Sequence, residues 1–125
     1  MDRTIILVGI GGMLGSIARY LIAVFFAGQF SSVMPYATLT VNIVGCFLIG
    51  ILFGLSERGN ILTPEWRVFL TTGFCGGFTT FSTFSYESIR LIQDGEFYYV
   101  SLNVAASVVI GFAATYLGIL LIKSI

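Results

Sequence analysis

The residues able to do chemistry in this sequence are neutral, and their spacing places them on helix faces. Thr38 and Asn42 stand four apart and are followed by the small Gly45 and Cys46. Asn103, Ser107 and Gly111 recur at the same interval, with Thr115 next. Side chains four apart share a helix face, so each set is a stripe of amides and hydroxyls without a carboxylate. One role for such stripes is hydrogen bonding between helices, which Asn, Ser and Thr provide in lipid. The other is passage of a small anion, because uncharged donors replace part of its water shell and still release it. The third feature is the run Gly76-Gly77-Phe78-Thr79-Thr80-Phe81-Ser82-Thr83-Phe84-Ser85. Its glycines and β-branched residues are poor helix formers, which predicts a break near residues 76–80. Carbonyls freed at a break coordinate cations such as Na⁺, while hydroxyls and half-helix N-termini face anions. Phe78, Phe81 and Phe84 recur every three residues and would share a face on a helical path. They serve either as core or lipid-facing packing, or as ring edges whose positive rim receives an anion.

Other chemistries are excluded by what is missing. The sequence has no histidine, and Asp2, Glu57, Glu65, Glu87, Asp94 and Glu96 do not cluster. Metal sites of the His/Cys type and histidine-based acid–base catalysis therefore have no parts to use, and no enzyme activity is expected. The six basic residues are scattered, so no basic patch invites nucleic acid. Cys46 and Cys75 lie within apolar segments, as small buried hydrophobes do.

The elements that must position these residues are membrane helices. Of 125 residues, 57% are hydrophobic and 10% charged, against about 25% charged in a soluble domain. Mean hydropathy is +0.99. A helix crosses the bilayer core with about 20 mostly apolar residues, and four segments qualify, at about 4–27, 36–56, 66–92 and 98–122. The expected fold is an all-α integral membrane protein forming one membrane domain over residues 1–125, its third span broken. The connections carry turn and breaker residues: Gly28 and Pro35, then Gly59-Asn60 and Pro64, then Asp94-Gly95. Thr63 and Pro64 read as the N-cap and first turn of the third span. Tyr36, Trp66, Tyr98 and Tyr99 fall near segment ends, where such rings favour the interface. Gly11 and Gly15, Gly50 and Gly54, and Ala114 and Gly118 form small-residue pairs suited to close helix packing. No cleavable signal peptide is expected, because the first segment runs past the length of a signal core. Four spans set both termini on one side with Arg3, Arg58, Arg67 and Lys123, leaning that side towards the cytoplasm.

Three segments together resemble a known family. These are Gly11-Gly12-Met13-Leu14-Gly15-Ser16-Ile17-Ala18-Arg19-Tyr20, Thr38-Leu39-Thr40-Val41-Asn42-Ile43-Val44-Gly45, and Gly73-Phe74-Cys75-Gly76-Gly77-Phe78-Thr79-Thr80-Phe81-Ser82-Thr83-Phe84. They are similar to the bacterial fluoride channels called Fluc or CrcB, over nearly the whole chain. The resemblance implies a dual-topology, antiparallel homodimer in the bacterial inner membrane. It further implies two fluoride pores and a central structural Na⁺. Asn42 would be the pore amide, and Phe81 and Phe84 the ring edges along the path. Thr38, Thr83, Ser107 and Asn103 would lie on the polar tracks. The carbonyls of Gly76 and Thr79 would hold Na⁺, four ligands once both subunits contribute. Arg19 and Glu87 match charged positions near the vestibules. Ala37 stands where the family commonly has glycine, a difference of one methyl.

The alternative function is a small proton-coupled multidrug transporter, also a four-helix chain. That chemistry needs a carboxylate within the membrane, and only Glu87 lies deep enough to serve. A purely structural subunit would be better made with an intact third helix.

Overall fold

The computed structural model describes residues 2–29, 33–59 and 61–125. Asn60, and residues 30–32 of the first connection, lie outside the described residues. Helix α1 spans Asp2–Gln29 and α2 spans Tyr36–Glu57. The third span opens with α3 (Pro64–Val68), continues through a π-helix (Phe69–Cys75), and closes its first half with α4 (Gly76–Phe78). After two extended residues, α5 (Phe81–Gln93) forms its second half, and α6 (Phe97–Lys123) follows. Among the described residues α1, α2 and α6 are each long and apolar enough to cross a membrane. The third span reaches that length only as two halves.

The break falls within the predicted residues 76–80, at their C-terminal end. Gly76 keeps right-handed helical angles (φ −62°, ψ −39°), whereas Thr79 (φ −87°, ψ 159°) and Thr80 (φ −153°, ψ 117°) are extended. Within that stretch the paired glycines continue the first half-helix. Their size serves packing. A Cβ on Gly77 would lie 2.5 Å from the Gly12 carbonyl oxygen and 3.0 Å from its Cα.

Two glycine seams hold the bundle. Along the first, α1 lies on the π-helix and α4. A Cβ on Gly11 would come within 2.6 Å of the Phe69 carbonyl oxygen, and one on Gly15 within 2.8 Å of the Phe78 nitrogen. Along the second, α2 lies on α6, and a Cβ on Gly118 would approach the Ile51 nitrogen to 2.9 Å. Lipid supplies little hydrophobic drive between helices, so backbone contact at this range is what holds them. The small-residue pairs of the sequence thus mark the two seams.

The outside is apolar. Ile5, Leu21, Phe25, Val109, Phe112 and Leu117 are all exposed, an outer surface suited to acyl chains and not to water. The ends are tied by polar contacts. Thr63 accepts the Trp66 amide at 3.3 Å with Pro64 in the first turn, as its sequence predicts. Arg58 donates to the Ile122 carbonyl at 3.0 Å, which satisfies one of the orphan acceptors at the end of α6.

Candidate functional site

Two extended residues inside a membrane span free backbone groups that lipid cannot satisfy. Side chains satisfy them here. Asn42 on α2 donates Nδ2–H to the Thr80 carbonyl at 3.1 Å and accepts the Thr80 amide on Oδ1 at 2.9 Å. One carboxamide thus pairs with one residue as a neighbouring strand would. Thr79 donates both its amide and its hydroxyl to the Cys75 carbonyl, each at 2.9 Å. The Thr80 hydroxyl accepts the Thr83 amide at 3.2 Å and donates to the Thr83 hydroxyl at 3.1 Å, capping α5. Arg19 on α1 donates Nε–H to the Gly77 carbonyl at 3.1 Å. A cation at that point complements the negative end of the first half.

Some capacity remains unused. Asn42 carries two amide hydrogens and gives one to Thr80, which leaves a donor. No cap or side chain among the described residues donates to the carbonyls of Gly76 or Thr79. No group of three or more His, Cys, Asp or Glu residues among them could hold a metal, so a cation near the break would have only carbonyl and hydroxyl oxygens.

A cavity of about 280 Å³ opens at the break, its wall including Asn42, Gly45, Thr79, Thr80, Phe81 and Thr115. Three of the predicted site residues, Asn42, Thr79 and Phe81, therefore meet in one space. Gly45 is required there, since a Cβ would run into the Thr79 methyl. Phe81 is 79% exposed, and its ring touches Phe84 with centroids 5.8 Å apart and planes tilted by 46°. Phe78 does not join them. It is buried and stacked on Phe74 at 5.6 Å, on the far side of the break. The expected three-residue aromatic face is thus split, because the extended pair interrupts the helical period between Phe78 and Phe81.

Thr38, Thr83, Asn103 and Ser107 are not among the residues lining this cavity. Thr38 is buried one turn before Asn42 and faces the Glu87 carboxylate. Thr83 belongs to the cap of α5. Asn103 is 1% exposed and donates to the Ser88 hydroxyl at 3.2 Å, the bond between helices that its stripe allowed. Thr115 donates to the Cys46 carbonyl at 3.1 Å across the α2–α6 seam. Two buried polar atoms lack a partner among the described residues, Glu87 Oε1 and Ser107 Oγ. In a closed apolar core an unpaired hydroxyl carries a cost of about 1–3 kcal/mol, and a charged group more. The bracket role of Thr80 and the inward aim of Arg19 were not read from the sequence. A threonine three residues ahead of a helical threonine is a capping signal, but it sat inside a run read for its glycines.

Comparison with known proteins places the chain. The family model described as "CrcB-like protein, Camphor Resistance (CrcB)" matches residues 6–119. A relative from Chlorobium luteolum is 52% identical over 120 residues, covering 96% of this chain and 92% of the relative. One from Geobacter metallireducens is 50% identical over 117 residues, covering 94% of each. One from Leptospira interrogans serovar Lai is 39% identical over 123 residues, covering 98% of this chain and 97% of the relative. All three relatives carry the name fluoride-specific ion channel FluC. The chain belongs to the CrcB-like family.

Proposed function

We propose that the chain is a fluoride channel of the bacterial plasma membrane, passing fluoride passively beside the broken third span. The carrying observation is the bracketed break: Asn42 holds Thr80 in extended form and keeps one amide hydrogen beside the cavity where Phe81 stands. Fluoride is small and strongly hydrated, so its water must be replaced closely by donors that do not trap it. A neutral carboxamide and the positive rim of Phe81, with Phe84 against it, supply this without a lysine or arginine in the wall. The unpaired Ser107 hydroxyl, and Thr38 beside Glu87, are further polar stations on α6 and α2. Fluoride is the cargo and undergoes no bond chemistry, so the protein is a channel and not an enzyme. The names of the relatives favour this reading over a multidrug transporter.

We infer in addition an antiparallel homodimer with two pores and Na⁺ at its centre. The Gly76 and Thr79 carbonyls fit such an ion, being oxygen donors that no cap or side chain among the described residues occupies. Two oxygens from one chain are too few for a buried cation, so a twofold partner has to supply the rest. When bound there, Na⁺ would supply a fixed positive charge and a tie between the two chains. The residues of this chain do the positioning: Thr79 fastens itself to Cys75, and Arg19 takes the Gly77 carbonyl out of competition.

The test is efflux from liposomes holding purified protein, followed with a fluoride electrode and repeated with chloride. Fluoride efflux with negligible chloride efflux is expected. Equal rates for the two ions would overturn the assignment.

A further inference from the structure

A second cavity, of about 490 Å³, lies far from the break, at the end of the bundle where α1 begins and the third span is capped. Its walls are graded. Leu7, Trp66 and Phe69 are apolar, while Arg3, Glu65 and Thr63 supply the polar rim. Arg3 and Leu7 are one helical turn apart, about 6 Å along α1, which sets the polar and apolar parts at different depths. The rim is a single ion pair, Arg3 Nη1 to Glu65 Oε2 at 3.3 Å, with side chains 79% and 44% exposed. Trp66 is 58% exposed, and its ring is held edge-on against Phe69 with centroids 5.5 Å apart. An exposed tryptophan on a membrane helix near its cap is a residue of the lipid interface.

We propose that this cavity seats one glycerophospholipid with a zwitterionic ethanolamine headgroup. The charge pattern of the rim selects it. Arg3 has five N–H donors and gives one to Glu65, so the rest are available to a phosphate, as guanidinium favours. Glu65 keeps a second oxygen for an ammonium. A headgroup bearing both charges meets both partners, and the rim is itself neutral overall. An anionic phosphoglycerol headgroup would set its phosphate near Glu65 and could offer that carboxylate hydroxyls but no cation. A choline headgroup carries its cation without N–H donors. The glycerol and first acyl carbons then rest on Leu7, Trp66 and Phe69.

Trp66 is the sole tryptophan of the chain, so its fluorescence reports on this cavity alone. The experiment places purified protein in phosphatidylcholine vesicles holding, at one matched mole fraction, dibrominated phosphatidylethanolamine, phosphatidylglycerol or phosphatidylcholine. Bromine quenches tryptophan only at contact. Phosphatidylethanolamine is expected to quench Trp66 with a relative binding constant about threefold or more above the other two, a small but measurable preference. Glu65→Gln removes the preference for ethanolamine over choline, Arg3→Gln weakens quenching by phosphatidylethanolamine, and Lys123→Gln changes neither. Both test substitutions fall on exposed side chains, so folding is retained. Stronger quenching by phosphatidylglycerol would mean that surface charge alone gathers lipid, and equal quenching by all three would mean an unselective boundary lipid. No quenching by any would put the cavity beneath another chain. Each of these three results overturns the proposal.

Discussion

Replacing Asn42 tests the bracket and the pore together. Asn42→Ala removes both bonds to Thr80 and leaves an amide and a carbonyl of extended backbone without partners. At about 1–3 kcal/mol for each unpaired group, the loss is about 2–6 kcal/mol, reduced where cavity water reaches them. Even the lower figure shifts the balance between the native break and its alternatives by about 30-fold. Asn42→Asp separates the two roles. The carboxylate still accepts the Thr80 amide, but an oxygen now stands where Nδ2 was, 3.1 Å from the Thr80 carbonyl oxygen. It also sets a negative charge beside the proposed path of an anion. At about 4 Å and an effective dielectric constant near 20, that repulsion is about 4 kcal/mol, or about a thousandfold in rate. Fluoride-electrode efflux at matched protein density should therefore fall by at least about a hundredfold for Asn42→Asp. Size-exclusion and thermal unfolding in detergent should show Asn42→Ala to be less stable than the parent. Efflux by Asn42→Asp within a few-fold of the parent would refute the pore assignment. An Asn42→Ala protein as stable as the parent would refute the bracket.

Other substitutions probe the supporting parts. Gly15→Ala would press its methyl into the Phe74 carbonyl and against the Phe78 nitrogen, an overpacking cost of about 1–3 kcal/mol. Gly9→Ala meets nothing within 4 Å and should leave unfolding in detergent unchanged or later, since a helical glycine costs about 0.5–1 kcal/mol. Arg19→Gln removes the charged donor to the Gly77 carbonyl and should lower stability by about 1–3 kcal/mol, with an unchanged melting curve counting against the capping role. Ser107→Ala deletes a buried hydroxyl that has no partner among the described residues, so unfolding should be unaffected while fluoride efflux falls; equal efflux would take Ser107 off the path. Exchanging Na⁺ for a large organic cation during purification should destabilise the assembly, and identical unfolding with and without Na⁺ would remove the cation from the proposal.

The spans were legible because their signal is bulk hydrophobicity, which needs no partner to be read. The caps were legible for the same reason of locality: Thr63 and Pro64 announce the third span within a few residues. The packing seams could be marked by small residues, but not paired, because the spacing of Gly11 and Gly15 names no opposite helix. The break was located within residues 76–80, and the extended pair, Thr79 and Thr80, ends that stretch. Propensity alone did not separate Gly76 and Gly77, which stay helical with Gly77 close against Gly12, from the threonines that follow. Thr80 is held extended by Asn42, thirty-eight residues earlier, which completes its hydrogen bonds. No local pattern carries that information. Asn103 shows the converse: its stripe allowed either an ion station or a bond between helices, and only the position of Ser88 favours the latter.

The π-helix between Phe69 and Cys75 deserves to be read as a change of phase. An α-helix advances about 100° per residue, and a wider turn behaves as though one residue had been inserted into it. Residues before the insertion and residues after it are thereby indexed to different neighbours. Upstream, the helix is free to keep Trp66 and Phe69 on the lipid-facing wall. Downstream, Gly77 still meets the first helix, and Thr80 still arrives at Asn42. Shortening the segment by one residue would then act like a misaligned gear. Every contact on one side of it would turn by about 100° against the other, with each half still a good helix in its own right.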